Sequence, residues 1–362
     1  MKIVIIAFEN DNHVAPLKWA LEQAGYAVAC WPGLSWTDDR QAAILLDGGN
    51  RLKLGTCSVD PGDTVWIRRT NPPVANPNVA LPDQKFAEGE YRWFSRSTLY
   101  MLECLPVRCI NKYSSSRFIN NKSVQLFLAR QCGMNVPSTL ISNSPAEVRR
   151  YIKESDSRIV CKAFFPHIWK KEGSEALAVT ETFELKESML PEDEVLTYAP
   201  AIYQEMVVKD FDVRMVLMGD AVFSCSLRNP KGSLDWRQDA GQGLVIVDSI
   251  GTPDSVVRAV LAFSRKSGIT FGSFDFAVDT TGKWWFLEVN EEGQFLWLDE
   301  FNPVLQMQEK FLAFLTLPEG ASGEALERQQ LLFPSWKDYR GGPAREQVDP
   351  EQHVAAPILS ME

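Results

Sequence analysis

The chain has 362 residues, 45% hydrophobic and 23% charged, values that fit a soluble globular protein with room for two or three domains. A formal charge of −10 argues against a polyanion spread over a broad basic surface, so nucleic acid is not the expected ligand, whereas a local basic pocket for one nucleotide is compatible. Three histidines and seven cysteines without a CxxC spacing leave little from which to build a zinc cluster or a histidine-based triad, and they fit reduced thiols in the cytoplasm.

MKIVIIAFEN opens on a charged residue and a short β-branched run, which reads as a first strand and lacks the apolar region and cleavage site of a signal peptide. No apolar run approaches the roughly 18 residues needed to cross a bilayer. A helix over 15–24 ended by Gly25, a strand AVACW and a strand DTVWIRR complete an N-terminal α/β domain, expected over 1–110. A Pro- and Asn-rich loop from Asn71 to Pro82 precedes an aromatic helix near Gly89 to Cys104.

Beyond it, Asn120 or Asn121 is positioned to cap a helix running to about Arg130, with Gly133 as its stop. Strands RIVCKAF, AIYQEMVV, FDVRMVLM and AVFSCSL follow, the last two joined by Gly219-Asp220. A helix near Pro253 to Gly268 leads into the paired segments FGSFDFAVD and WWFLEVN around the turn Thr281-Gly282, and another helix is expected from about Pro303 to Leu315. These divide into subdomains at 111–202 and 203–318; residues 319–362, poor in apolar side chains, read as a flexible tail.

Strict alternation along the last hairpin sends Trp285, Leu287 and Val289 to one face and Trp284, Phe286, Glu288 and Asn290 to the other. Closure about Thr281-Gly282 sets Asp275 opposite Glu288 and Asn290 opposite Ser273. Like charges across a ladder repel, so the pair needs a shared proton, a basic side chain or a bound cation, unless both are simply solvated. A hard ion such as Mg²⁺ suits these oxygens.

Lys162, inside an apolar strand, calls for an anion or an exposed strand end. Lys122 opens a helix, where a cation beside the N-terminus can hold an anion or merely be solvated. YQEMVV can offer an edge to adenine or be an ordinary strand end, and Asp212 and Arg214 share a face as ligand contacts or as a salt bridge.

Taken in order, NKSVQLFLARQCGMNVPSTLI, IVCKAF, YQEMVVKDFDVRMVLMGD, LDWR and FGSFDFAVDTTGKWWFLEVNEEGQF closely resemble the ATP-grasp ligases over about residues 105 to 316. The nearest subgroup is the maturases of microviridins and related graspetides, with the ribosomal-protein glutamate ligases further away; VWIRRTNPP is also like that subgroup.

The resemblance implies an α/β (α+β) ATP-grasp fold with an N-terminal α/β pre-ATP-grasp domain, and ATP and Mg²⁺ as cofactors. It implies Lys122 and Lys162 on the phosphates, Glu205 with the Met206 and Val207 backbone on adenine, and Asp212 on the ribose. Asp275, Glu288 and Asn290 match the magnesium ligands, and Arg214, assisted by Arg237 and with Arg228 as a further candidate, the catalytic arginines. Strand alternation turns Arg228 away unless a bulge intervenes.

The implied activity is phosphorylation of an Asp or Glu side chain of a precursor peptide and its capture by a Ser or Thr hydroxyl or a Lys amine, giving a lactone or lactam. A ligase adding an amino acid or amine to a peptide is the alternative. The partners expected are the leader and core of a ribosomally made precursor and a second copy of the chain as homodimer. The leader contact is expected over Val179 to Val195. One departure stands out: Glu291-Glu292 follow Asn290 where the subgroup usually has Pro-Asn.

Overall fold

A computed structural model describes residues 1–8, 11–165, 168–170, 177–179, 182–229 and 245–342. The chain opens with a parallel sheet in the order β2-β1-β6-β7, formed by β1 (Lys2–Ile6), β2 (Ala27–Trp31), β6 (Thr64–Ile67) and β7 (Arg108–Ile110). Residues Ile3 to Ile6 are buried on both faces, which is why this strand is a continuous apolar run and does not alternate. Helix α1 (Val14–Gln23) ends at Gly25, whose φ of 82° suits the left-handed turn expected there.

Three short strands not anticipated from sequence, β3 (Ala42–Leu45), β4 (Arg51–Leu54) and β5 (Cys57–Val59), make a small antiparallel sheet. Helix α2 (Gln84–Cys104) begins a turn earlier than expected. Helices α3 (Tyr113–Ile119) and α4 (Lys122–Gln131) follow β7. Asn121 precedes α4 without a capping bond; its amide donates instead to Arg117 O and Phe118 O of α3.

The middle sheet is antiparallel in the order β12-β9-β13-β8, from β8 (Thr139–Ser142), β9 (Ile159–Lys162), β12 (Phe183–Leu185) and β13 (Ala201–Glu205). Segments β10 (Ile168–Lys170) and β11 (Leu177–Val179) pair antiparallel beside it in sequence. The last sheet runs β16-β15-β14-β17-β18, built by β14 (Lys209–Met218), β15 (Ala221–Arg228), β16 (Ile246–Ile250), β17 (Phe271–Asp279) and β18 (Trp284–Asn290).

One face of this five-stranded sheet packs Val213, Met215, Leu217, Phe274, Phe276, Trp284, Phe286 and Val289 against α4 and the helix Asp254–Ser267. Its other face and the parallel sheet share a second core, joined by the helix Met307–Thr316. There Phe311 lies 5.0 Å from both Trp66 and Phe271.

The expected flexible tail is corrected for the described part of 319–342. Helices Gly323–Gln330 and Trp336–Gly341 bury Leu326, Phe333, Trp336 and Tyr339 in the shared core. The composition is polar, yet these four side chains turn inward, with Tyr339 packed 5.5 Å from Trp19, while Leu331 and Leu332 stay exposed. Residues 343–362 lie outside the described residues. Among the described residues no helix is long and apolar enough to cross a membrane.

Candidate active site

The register of the last hairpin sets Ser273 opposite Asn290 and Asp275 opposite Glu288, as the turn position implied. The strict alternation does not hold. A bulge between Asp275 and Phe276 leaves Leu287 as an extra residue on β18 and inverts the parity beyond it. Trp284 and Phe286 therefore join Val289 in the core, while Glu288 and Asn290 stay on the opposite face with Ser273 and Asp275. The bulge is what lets so apolar a strand present carboxylates.

β14 supplies the same face from the other side. Arg214 lies directly across from Asp275 in the β14–β17 register, and its Nη1 donates to Asp275 Oδ1 at 2.8 Å. Nη2 donates to Gln294 O at 3.1 Å, and the guanidinium carbon lies 5.9 Å from the Trp297 ring. Nε is buried without a hydrogen-bond partner. Two residues earlier, Asp212 accepts from Lys209 Nζ at 2.6 Å.

Lys122, the first residue of α4, pairs with Glu288 Oε2. α4 is anchored to β18 by Gln125, whose Oε1 accepts from Val289 N at 3.0 Å and whose Nε2 donates to Val289 O at 2.9 Å. This amide satisfies a backbone edge that has no neighbouring strand there. Lys162 closes the cluster from the end of β9, its Nζ donating to Gln204 Oε1 at 2.7 Å. Burial pushes the Lys162 ammonium below the usual lysine range, and Glu288 opposes that shift.

Four cations, Lys122, Lys162, Lys209 and Arg214, thus meet Asp212, Asp275, Glu288 and Asn290 on one face. Among the described residues no group of three His, Cys, Asp or Glu could hold a metal. Two carboxylates and one amide fit a hard cation that completes its shell with water and phosphate. The unpartnered Arg214 Nε and the desolvated Lys162 fit a phosphate-bearing ligand beside that ion.

Glu205, Met206 and Val207 leave β13 beside this face, with Met206 N donating to Arg158 O at 2.7 Å and Glu205 Oε1 accepting from Ser155 Oγ at 3.3 Å. Arg228 is not brought in. It pairs with Asp210 at 3.3 Å and lies 4.2 Å from the Phe211 ring, the alternation of β15 having turned it away. Arg237 lies outside the described residues.

Sequence reasoning missed the contribution of the N-terminal domain. Arg68 donates from Nε to Asp11 Oδ2 at 2.6 Å and from Nη1 to Glu292 O at 3.1 Å. His13 Nε2 accepts from Phe295 N at 3.0 Å and Leu296 N at 3.3 Å. The loop after β18 is also shaped by Gly293, where a Cβ would stand 2.4 Å from Ser273 Cβ. An arginine ending an apolar strand, as Arg68 does in VWIRR, was the available signal.

A cleft of about 1130 Å³ opens beside the cluster, lined by Arg69, Arg117, Lys122, Glu288, Asn290 and Glu291 among others. Burial, and then the neighbouring Glu292 carboxylate, push the Glu291 carboxyl up to about 8.

The chain is similar in structure to a RiPP-associated ATP-grasp ligase from Chryseobacterium gregarium, solved in complex with ADP and a leader and core peptide. The TM-score is 0.74, with 21% identity over 88% of this chain and 98% of that one. It is also similar to the macrocyclase MdnC from Microcystis aeruginosa MRC, bound with precursor peptide MdnA, at TM-score 0.69 and 22% identity over 87% and 99% of the two chains. The ATP-grasp ligase PsnB, complexed with a minimal precursor, Mg and ADP, gives 0.65 and 20% over 91% and 98%. No family model matches the chain, and no curated protein does. The chain therefore has the fold of the ATP-grasp ligases, as its motif series implied.

Proposed function

We propose that the protein is an ATP- and magnesium-dependent peptide ligase. It phosphorylates an Asp or Glu side chain of a precursor peptide and joins it to a Ser or Thr hydroxyl or a Lys amine of the same peptide. The observation that carries this reading is the Arg214, Lys122 and Lys162 cluster against Asp275, Glu288 and Asn290 on one sheet face. The similar structures solved with nucleotide, Mg and peptide support it.

In this reading Lys122 and Lys162 hold the phosphates, Glu205 with the Met206 and Val207 backbone faces adenine, and Asp212 takes the ribose. Since Met206 N is engaged by Arg158 O, the Val207 end of the segment is left as the donor. Asp275, Glu288 and Asn290 hold Mg²⁺, which would neutralise charge on the transferring phosphoryl group.

A carboxylate is a poor electrophile; phosphorylation turns its oxygen into a leaving group. Arg214, fixed between Asp275 and Gln294 O, presents its guanidinium to the phosphoryl oxygens and then to the acyl phosphate. Arg237 assists in this proposal, whereas Arg228, held by Asp210, is left out of it. The cleft beside Asn290 receives the peptide, its leader contact falls over Val179 to Val195, and the chain works as a cytoplasmic homodimer.

Incubation with MgATP and the precursor, followed by nucleotide chromatography, tests the phosphoryl transfer. ADP and phosphate are expected. AMP and pyrophosphate would mean an adenylate intermediate and would contradict the proposal.

A further inference from the structure

A single peptide unit connects the N-terminal domain to Arg214. Its carbonyl, Gln294 O, accepts from Arg214 Nη2 at 3.1 Å, and its N–H, on Phe295, donates to His13 Nε2 at 3.0 Å. Leu296 N donates to the same nitrogen at 3.3 Å. Two donors at Nε2 require a lone pair there, which places the ring proton of the neutral imidazole on Nδ1. That nitrogen lies 3.6 Å from Asp11 Oδ1 and 3.3 Å from Arg68 Nη2, so its contact with the guanidinium is a close approach of two N–H groups and not a hydrogen bond. Asp11 is in turn gripped by Arg68, which also binds Glu292 O and Gly293 O. His13, Asp11 and Arg68 are all buried, and the His13 ring meets Phe295 edge-on at 5.1 Å.

We infer that His13 is a positioning residue for Arg214: by accepting from the Phe295 N–H it fixes the plane of the 294–295 peptide, and so the carbonyl that orients the guanidinium toward phosphate. This rests on the reading of Arg214 as a γ-phosphate contact. Rotating a peptide plane bonded at both ends breaks two hydrogen bonds, whereas with His13 removed the same rotation is opposed only by the bond to Arg214. Asp11 and Arg68 hold the imidazole and the flanking carbonyls in register, so the arginine's aim depends on residues of the N-terminal domain, far upstream in sequence.

The test compares binding of a non-hydrolysable ATP analogue with binding of ADP, both with Mg²⁺, by calorimetry. The ratio of the two affinities isolates the γ-phosphate contact. His13→Leu, which removes the acceptor, should lower that ratio on the order of tenfold, the size of one lost charge-assisted bond. His13→Gln, whose side-chain oxygen can reach the place of Nε2, should restore it. In an Arg214→Ala background the ratio should already have collapsed, and adding His13→Leu should change nothing further.

An unchanged ratio in His13→Leu while Arg214→Ala loses it overturns the inference alone. So does an equal additional loss in both backgrounds, which is what a merely structural role would give. An unchanged ratio in Arg214→Ala overturns the Arg214 reading and the inference with it. In the wild-type protein, amide exchange over 294–296 should be slower with the analogue than with ADP, by reciprocity of the coupling. Equal exchange would overturn the inference without recourse to any variant.

Discussion

Asp275 lies directly opposite Glu288 across the β17–β18 ladder, and each is neutralised by a different cation, Arg214 for the first and Lys122 for the second. Two carboxylates in that position would otherwise repel. The cations come from β14 and from the first residue of α4, so the sheet and the helix both converge on the pair.

Neutralising these carboxylates should therefore not relieve strain. Asp275→Asn leaves the buried Arg214 guanidinium without its countercharge and should cost about 3 kcal/mol, the usual size for breaking a buried pair. Glu288→Gln, at a half-exposed position, should cost about 1 kcal/mol or less. Chemical denaturation of both single variants checks the order, and both should lose turnover.

Gln125→Leu should destabilise the protein by about 2 kcal/mol, because it orphans the buried Val289 N–H and C=O that the amide satisfies. It should also weaken Mg²⁺-dependent nucleotide binding, since α4 carries Lys122 and clamps the strand carrying Glu288 and Asn290. Thermal denaturation and calorimetry read the two effects separately.

Ending the chain at Pro318 should lower the melting temperature sharply or prevent folding. Each of Phe333, Trp336 and Tyr339 contributes roughly 1.5–3 kcal/mol of burial to the core shared by two sheets. A chain ending at Gly342 retains them and should melt well above the chain ending at Pro318.

His13 supplies a pH dependence of defined sign. Burial, then the Arg68 charge, lowers its pKa from 6.5 to about 4. The folded state thus favours the neutral ring, so this contribution to stability is fully present above about pH 6.5 and is lost as the pH falls through about 4. Its maximum is on the order of 3 kcal/mol. Stability curves of wild type and His13→Gln should converge as the pH falls across that window, and NMR titration of the imidazole should give the depressed value directly.

The fold was legible where a pattern is local. Lys122 at a helix start and the Asp275–Glu288 register follow from periodicity and turn position, whereas Lys162, expected inside a longer strand, stands at the end of β9. The bulge at Leu287 was not legible, because one inserted residue leaves no mark in composition yet inverts every side chain beyond it. The Asp11–His13–Arg68 cluster was hidden for another reason: its partners are backbone groups at 292–296, and nothing in a sequence marks a carbonyl as needing a donor. The helices after Pro318 were misread because mean polarity masked four apolar anchors.

The central claim, that a side-chain carboxylate of a peptide is activated and captured within that peptide, is tested most directly by tandem mass spectrometry. The product to analyse is precursor peptide treated with the enzyme, ATP and Mg²⁺. The account predicts a product lighter by one water for each bond, with backbone fragmentation interrupted through the core and no product when its acidic side chains are replaced by amides. A product heavier by an added amino acid or amine, or uninterrupted fragmentation through the core, would contradict it.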